Sequence, residues 1–284
     1  MLETYEPLRQ NALRALKMDD LINAVRDCRA LSFKESHTLF LIRRVKINPW
    51  ETGYLQRYTI EPITSYVRHQ LKLKLMEAKW EDRLRLYESL EPVQGSRRLA
   101  DLVFETIGHR RFQEKVALTL VPMRRSEPTT KRKSVQWESQ FVQDLVPQST
   151  ADEGSIREIA KKELPSIEVQ PRDTIQYPNP RPKVVKLDTY YVPASPNQVA
   201  FDSFIVVGGA LYMFQFTIAD DHPIKAGLMN FFSESHFEEN DWYFIFVVPP
   251  GGKLTCSESS DEKMKRFWNK VKMFTAVINP KEQE

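Results

Sequence analysis

The amino-acid sequence predicts an α/β (α+β) protein in which a mixed sheet flanked by helices follows a mainly helical N-terminal domain. Two segments rich in β-branched and aromatic residues, 198–207 and 210–218, flank Gly208-Gly209, which is typical of a tight hairpin. A third segment, residues 242–248, is almost continuously apolar, as expected for a strand covered on both faces. Because a helix is predicted between the hairpin and this third strand, the sheet should contain both antiparallel and parallel pairs.

Residues 1–95 form the predicted N-terminal domain. Apolar residues recur at helical spacing from Leu8 to Val25 and again over residues 63–90, with lysines and arginines between them. Residues 37–44 are typical of a short strand. A small helical domain with solvated charged faces is the first interpretation, and a winged-helix-like module that touches nucleic acid is the alternative.

Residues 96–284 form the predicted second domain, which begins with a helix and then a strand, residues 116–121, that Pro122 stops. A polar insertion follows at residues 124–185, and nine of the chain's 18 prolines lie within residues 128–196. Pieces of it such as residues 134–146 could be ordered, whereas a structureless insertion of this length indicates a functional or mobile loop. The remaining predicted elements are helices at residues 225–232 and 261–271 and a final strand at residues 273–278.

Composition excludes several classes of protein. The 41 lysines and arginines against 38 aspartates and glutamates give a formal net charge of +3, which excludes a highly basic tail but allows a local basic groove. No run of 18 apolar residues occurs and the N-terminal residues lack the pattern of a secretory signal, so no membrane partner is predicted. Cys28 and Cys256 are too few for a disulfide framework, and a nuclear or cytoplasmic location is expected.

Asp202 lies in the first strand of the predicted hairpin among apolar residues, where a carboxylate is costly unless it is paired or bound to a cation. Gln215 and Thr217 share one face of the second strand, and the hairpin can bring Asp202 beside them. A carboxylate next to a second oxygen ligand, with a lysine or histidine nearby, suits phosphodiester hydrolysis with Mg²⁺.

Three segments together resemble the nuclease domains of the Crinkler–RHS-type effector family, which belongs to the PD-(D/E)XK, or restriction-endonuclease-like, nucleases. The segments are Leu102-Val-Phe-Glu-Thr-Ile-Gly-His109, then Tyr190-Tyr-Val-Pro193 with Asn197 and Phe201-Asp-Ser-Phe204, and then Phe214-Gln-Phe-Thr217 with His222-Pro-Ile-Lys225. The resemblance implies a restriction-endonuclease-like core of a helix, three strands, a helix and a strand. It also implies a motif of Asp followed, on the next strand, by Glu or Gln, any residue, and Lys.

The resemblance implies roles for particular residues. The implied ligands of Mg²⁺ or Mn²⁺ are Glu105, Asp202, Gln215 and the carbonyl of Phe216. The implied catalytic partners are Lys225 and His222, of which one would orient or deprotonate the attacking water. Thr217 stands where the motif has Lys, so Lys225 on the following helix is the candidate replacement. Gln215 stands where Glu is usual, and a neutral amide is a weaker ligand for Mg²⁺ than a carboxylate.

Each candidate also has a structural interpretation. On a helix, Glu105 and His109 share one face, away from the apolar stripe of Leu102 and Val103, so Glu105 could be a solvated helix residue. His109 is more often structural than catalytic in such a place. Asp202 could be a structural residue held by hydrogen bonds.

The predicted function is metal-dependent hydrolysis of phosphodiester bonds, in DNA or alternatively in RNA. Six arginines near the first helix and strand of the second domain are predicted to line the phosphate path: Arg97, Arg98, Arg110, Arg111, Arg124 and Arg125. The alternative is a catalytically degenerate domain that binds nucleic acid or a protein partner without cleavage, and a third interpretation is a purely structural interaction protein. A homodimer is expected if paired cuts are made in two strands.

Overall fold

The computed structural model describes residues 5–26, 36–44, 58–130, 134–140, 164–171, 173–178, 181–194, 201–232, 237 and 239–282. The chain divides into two compact units, residues 1–107 and 108–282, and the division falls inside the helix Arg97–Glu114. The boundary predicted at residues 95 and 96 lies just before this helix. Within the described residues, no helix has the length and apolar character needed to cross a membrane.

In its described residues, the first unit contains helices and one antiparallel pair of strands. Its elements are α1 (Tyr5–Ala15), α2 (Met18–Arg26), α3 (Ser36–Leu39), β1 (Phe40–Arg44), β2 (Tyr58–Pro62), α4 (Ser65–Glu77), α5 (Trp80–Leu90), a 3-10 turn (Gln94–Ser96) and the start of α6 (Arg97–Glu114). Helix α4 begins after Thr64, whose side chain accepts a hydrogen bond from the backbone N–H of Val67. The strand predicted from residue 37 starts only at Phe40, because the residues before it form the short helix α3.

The second unit contains a seven-stranded mixed sheet. After α6, its elements are β3 (Val116–Thr119), β4 (Val121–Pro122), β5 (Arg124–Ser126), β6 (Gln136–Glu138), β7 (Ser166–Val169), β8 (Asp173–Tyr177), β9 (Thr189–Pro193), β10 (Ser203–Val207), β11 (Ala210–Phe216), α7 (Leu228–Phe232), β12 (Asp241–Val248), β13 (Thr255–Ser257), α8 (Glu262–Lys270) and β14 (Val271–Val277). The strand order is β4-β14-β12-β11-β10-β9-β8. Strands β11, β12 and β14 are parallel, whereas β10 is antiparallel to both its neighbours. The prediction of a mixed sheet with helices is confirmed.

The predicted hairpin joins β10 to β11. Gly208 and Gly209 have φ angles of 55° and 81°, which a two-residue turn of this kind requires and which glycine adopts without steric cost. Ser203 pairs with Phe214, so Asp202 and Gln215 form the next opposed pair. The helix predicted at residues 225–232 is shorter than expected, because the residues after His222 form a loop and turn and α7 begins only at Leu228.

The described part of the Pro-rich insertion at residues 124–185 is ordered rather than structureless, and β6 lies within residues 134–146, the piece that the sequence allows to be ordered. It contains four strands, of which β8 forms an edge of the large sheet and β7 pairs with β3 in a separate two-stranded sheet. Strand β3 is therefore not a neighbour of the hairpin, and β9 occupies that place. Pro122 does not stop a strand but belongs to β4 at the opposite edge, where it pairs with Phe274.

Side chains form rows across the sheet because paired residues on neighbouring strands point to the same face. One buried row runs through Tyr191, Phe204, Met213, Phe244 and Met273. It belongs to a large aromatic core on the face that also carries Phe231 of α7 and Phe267 of α8. The next row on this face, two residues further towards the carboxyl ends of the parallel strands, contains the opposed pair of Asp202 and Gln215, described below.

The end of α6 packs on the opposite face of the sheet. Phe112 meets Phe214 and Phe216 edge to face, with ring centroids 4.7 Å and 5.1 Å apart. A Cβ atom on Gly108 would lie 2.2 Å from the ring of Phe216, so only glycine permits this close approach of helix and strand. The side chain of Phe216 is thereby fixed on one face, while Gln215 beside it points to the other.

Candidate active site

The candidate site lies at the carboxyl end of the parallel strands in the second unit. Asp202 immediately precedes β10, and Gln215 is the penultimate residue of β11. In the same row, Gln215 pairs with Phe246 of β12, which in turn pairs with Thr275 of β14. In open α/β sheets, ligands bind outside the carboxyl ends of the strands, so these side chains lie where a ligand is expected.

Asp202 and Gln215 contact each other directly. The Gln215 Nε2 group donates to Asp202 Oδ2 at 2.7 Å, and the backbone N–H of Phe216 donates to the same oxygen at 2.8 Å. The backbone N–H of Asp202 donates to the Phe214 carbonyl at 2.9 Å, which aligns the two strands at this point. Both of these carboxylate bonds come from neutral donors, so they orient the part-buried carboxylate without cancelling its charge.

The charge of Asp202 also affects the pKa of the Tyr177 hydroxyl. Tyr177 is buried in the aromatic core at the end of β8. Burial first, and the negative charge of Asp202 second, raise the pKa of the Tyr177 hydroxyl above its ordinary value. Tyr177 is therefore a neutral phenol at physiological pH.

The donor set partly fits a magnesium ion. Mg²⁺ is usually held by one or two carboxylates and keeps several waters, and Asp202, the Gln215 amide oxygen and the Phe216 carbonyl meet that minimum. The Gln215 amide nitrogen faces Asp202 and lies 3.5 Å from the Phe216 carbonyl, so the amide must turn over before its oxygen can bind a cation. No group of three or more His, Cys, Asp or Glu suited to a metal occurs among the residues that the structure describes.

Thr217 occupies the position of the motif lysine and offers no cation. Its side chain is fully buried, and its Oγ1 accepts a hydrogen bond from the backbone N–H of Ala219 at 3.0 Å. Its own N–H donates to the Val247 carbonyl of the neighbouring strand. The hydroxyl thus stabilises the turn at the end of β11.

His222 lies in the loop between β11 and α7 and packs on the strand next to that of Gln215. Its backbone N–H donates to Thr255, and its ring packs edge to face on Phe246 with centroids 5.9 Å apart. Phe246 is the strand partner of Gln215, and Asp202 lies one strand further on. Lys225 is exposed in the turn before α7, and among the described residues no hydrogen bond or ion pair joins it to Asp202.

Glu105 is buried in α6 and belongs to the first unit, where two cations of α4 surround it. Its Oε1 lies 2.5 Å from Lys72 Nζ, and its Oε2 lies 3.3 Å from the guanidinium of Arg68. The interpretation of Glu105 as a solvated helix residue was wrong, because α6 is buried on the face of Glu105 as well as on its apolar stripe. Its predicted role as a metal ligand stays a prediction.

A buried hydrogen-bonded chain, missed by the sequence analysis, joins three elements of the second unit. His109 Nδ1 and the Tyr190 hydroxyl lie 2.8 Å apart, and that hydroxyl donates to Ser203 Oγ at 2.7 Å. All three side chains are fully buried. The tautomer of His109 decides which of the two groups donates in the first of these bonds. The chain fixes β9 and β10 to the end of α6, next to Asp202, and the three residues fall in the segments that carry the family resemblance.

The arginines predicted to line a phosphate path mostly have acidic neighbours. Arg97 is exposed, whereas Arg111 is buried, and its guanidinium is not displayed at the surface. The ion pairs are Arg98 with Glu61, Arg110 with Glu114 (2.7 Å), Arg124 with Glu138 (2.6 Å), and Arg125 with Glu127 (2.6 Å) and Glu258 (2.9 Å). Local carboxylates thus offset the charge of four of the six.

The chain matches no protein-family model, no curated protein and no solved structure. The resemblance to Crinkler–RHS-type nuclease domains therefore rests on the motif segments of the sequence and stays a prediction.

Proposed function

We propose that the second unit is a metal-dependent nuclease that hydrolyses phosphodiester bonds, with DNA as its substrate. The observation that supports it most directly is the opposed pair of Asp202 and Gln215 at the carboxyl end of the parallel strands. A carboxylate and an amide that converge there provide oxygen ligands at the edge where ligands of such sheets bind.

The order of elements around this pair also supports the proposal. Helix α6, strands β9, β10 and β11, helix α7 and strand β12 follow the helix, three strands, helix and strand of restriction-endonuclease-like domains. Strands β9 to β12 are consecutive neighbours in the sheet, and strands β3 to β8 are inserted between α6 and β9.

The proposed roles follow from the local geometry. Asp202, the Gln215 amide oxygen and the Phe216 carbonyl would hold Mg²⁺ or Mn²⁺, which supplies Lewis-acid polarisation of the phosphate when bound. His222 is proposed to orient the attacking water and accept its proton, because its ring is fixed against Phe246 in the row of the site. Lys225, which is exposed, is proposed to contact the phosphate group rather than the water.

The test is nicking of supercoiled plasmid with Mg²⁺, by the wild-type protein and Asp202→Asn. We expect the substitution to reduce nicking on the order of a hundredfold or more, because a metal contact contributes several kcal/mol to the transition state. The matched control is Asp173→Asn, since Asp173 is an exposed aspartate on the edge strand β8 and its loss should leave nicking unchanged. Equal nicking by wild type and Asp202→Asn would contradict the proposal.

A second candidate function is binding of nucleic acid or a protein partner without cleavage. Thr217 favours it, because the position of the motif lysine is filled by a buried hydroxyl that is already hydrogen-bonded. Under this alternative no divalent cation supports nicking, while Asp202→Asn binds DNA as tightly as the wild type. Gel-shift titrations in EDTA, run beside the nicking assay, separate the two functions.

A further inference from the structure

A cleft of about 490 Å³ in the first unit lies between α1 and α4. Its volume falls within the range of roughly 300–1,000 Å³ in which small-molecule ligands bind. All of its lining residues belong to the first unit, so none of them takes part in the site at Asp202. The polar residues that line the cleft are Gln10 and Arg14 of α1 and Tyr66, Gln70, Lys74 and Glu77 of α4.

One end of the cleft carries two cations beside the last turn of α1. The ammonium of Lys74 donates to the Leu13 carbonyl at 2.6 Å and to the Arg14 carbonyl at 3.3 Å, so it covers oxygens that would otherwise repel an anion. An ammonium has three protons, and one of them remains for a ligand. Arg14 is exposed, and in the part of the chain that the structure describes no carboxylate pairs with its guanidinium.

Glu77 lies at the same end of the cleft, where its charge acts on Lys74. Two cations, Arg14 and Lys74, against this one carboxylate leave the lining with a formal charge of +1. Burial lowers the pKa of Lys74, and the charges of Asp20 and Glu77 oppose that change. An anion bound beside Lys74 would favour the charged ammonium, so this end of the cleft favours an anionic ligand.

The other end of the cleft carries a tyrosine ring and two amides. Gln70 follows Tyr66 by one helical turn on the same face of α4. Gln10 Nε2 donates to the Tyr66 hydroxyl at 3.5 Å, a length at which the bond is weak and easily given up to a ligand. Glutamine amides bind the edges of nucleobases through one donor and one acceptor, and tyrosine rings stack on their faces.

The two ends are far enough apart to bind different groups of one ligand. Tyr66 and Lys74 are eight residues apart on α4. At the rise of an α-helix, that separation is about 12 Å along the axis. A ligand that fills the cleft therefore has an anion at one end and a flat ring with hydrogen-bonding edges at the other.

We propose that the cleft between α1 and α4 binds a nucleoside monophosphate. Arg14 and Lys74 contact the phosphate, to which a guanidinium donates paired hydrogen bonds. Tyr66 stacks on the base, and Gln70 binds its edge. This inference does not rest on the proposed nuclease function, because it uses residues of the first unit alone.

A free α-amino acid is the other ligand that the charged end allows. Its carboxylate could bind Arg14 and its ammonium could bind Glu77. Bound in that way, an amino acid is too short to reach Tyr66, about 12 Å away along α4. The length of the cleft and the amides at its far end thus favour the nucleotide.

The test is isothermal titration calorimetry of the full chain with the four common ribonucleoside monophosphates. EDTA is present, so that no divalent cation holds the nucleotide at Asp202. We expect saturable binding that Arg14→Gln weakens about tenfold or more, because a hydrogen bond to a charged group contributes that much. Arg9→Gln is the matched control, since it removes the same charge from the same helix outside the cleft, and it should bind as the wild type does.

Two further variants separate the contact to the base from the contact to the phosphate. Gln70→Leu should weaken nucleotide binding several-fold and leave binding of inorganic phosphate unchanged, because it removes a contact to the base alone. Glu77→Gln should strengthen nucleotide binding, because it removes a like charge from the phosphate end. In an NMR titration, the pKa of Lys74 should be higher with the nucleotide than without it.

Three outcomes would overturn the inference. The first is that the wild type binds none of the nucleotides at millimolar concentration, or binds them no more tightly than Arg14→Gln does. The second is binding of free glutamine that Glu77→Gln abolishes, which would assign the cleft to amino acids. The third is nucleotide binding that Asp202→Asn abolishes, which would place the nucleotide in the second unit. Since none of these measurements needs cleavage, a failed nicking assay contradicts the nuclease alone.

Discussion

Two carboxylates that the sequence analysis assigned to one metal site have different surroundings. Glu105, in the first unit, contacts the ammonium of Lys72 and the guanidinium of Arg68. Asp202, in the second unit, accepts hydrogen bonds from the Gln215 amide and the Phe216 N–H, both of which are neutral. Glu105 is therefore already paired with protein cations, whereas the hydrogen bonds from Gln215 and Phe216 orient Asp202 through neutral donors.

The difference shows how the same residue type can serve stability or binding. Burial of a carboxylate costs free energy, and an ion pair offsets that cost at the expense of any further ligand. Neutral donors offset less of the cost of burial. A carboxylate that is held by neutral donors therefore gains more free energy when it binds a metal ion. A substitution at Glu105 should thus act mainly on stability, and a substitution at Asp202 or Gln215 mainly on the response to divalent cations.

The largest effect is expected for Glu105→Ala, which removes the closest carboxylate from Lys72, whose side chain is only 14% exposed. We expect the free energy of unfolding to fall by about 3 kcal/mol, because a buried cation is left without its partner. Urea denaturation followed by circular dichroism measures the change. The control Glu81→Ala, at an exposed glutamate of α5, should cost less than about 0.5 kcal/mol. Equal losses of unfolding free energy in the two variants would show that the ion pair of Glu105 with Lys72 stabilises the protein no more than the exposed Glu81 does.

The next effect concerns Gln215→Glu, which sets two carboxylates directly opposite each other on β10 and β11. Without divalent cations we expect a loss of about 1–2 kcal/mol from like-charge repulsion and the lost amide bond. Mg²⁺ should restore the melting temperature, because a cation between the carboxylates is bound only by the folded protein. Melting in EDTA and in Mg²⁺ tests this, with Gln215→Leu as the control that should not respond. A response shared by both variants would mean that Mg²⁺ binds elsewhere.

A smaller effect is expected for Tyr190→Phe, which removes one hydroxyl from the chain of His109, Tyr190 and Ser203. The loss should be about 1 kcal/mol, since two buried polar groups lose a hydrogen-bond partner. Hydrogen exchange of the Phe216 amide, which donates to Asp202, should accelerate as β10 loosens beside α6. The half-buried Tyr212 provides the control, and Tyr212→Phe should leave that amide unchanged.

The smallest effect is a pH dependence in the first unit. Burial first, and the charge of Lys72 second, lower the pKa of His69, while Glu105 raises it. The folded state disfavours the charged imidazole. The contribution of His69 to the free energy of unfolding is therefore fully present above its ordinary pKa of 6.5, and it is lost as pH falls below that value. In Glu105→Gln the opposing carboxylate charge is gone, so titration of His69 by NMR should give a still lower pKa. An unchanged pKa would show that Glu105 does not act on this ring.

The sequence predicts those features that depend on neighbours along the chain. Gly208-Gly209 and the flanking β-branched residues predict the hairpin, and the hairpin register then brings Asp202 beside Gln215. The strands of the insertion were missed, because short polar strands such as β5 and β6 pair with each other or with β13 far away in sequence. Their local composition does not distinguish them from a loop.

The surroundings of Glu105 were beyond prediction for a related reason. Its partners Lys72 and Arg68 lie 33 and 37 residues earlier in the chain, on another helix. Helical periodicity identifies the face of α6 that carries Glu105, but not what covers that face. The same holds for the arginines, whose acidic partners include Glu258, 133 residues from Arg125.

The place of β14 in the large sheet has a consequence for the order of folding. This last strand lies between β12 and β4, and Thr275 Oγ1 donates to the Val121 carbonyl across 154 positions of sequence. Pairing between such distant segments is slow, since the long intervening loop must close before any contact is gained. Until residues 271–277 emerge from the ribosome, the apolar strand β12 has an open edge that can join other chains. Synthesis that stops before β14 is therefore expected to yield aggregates rather than a partly folded protein.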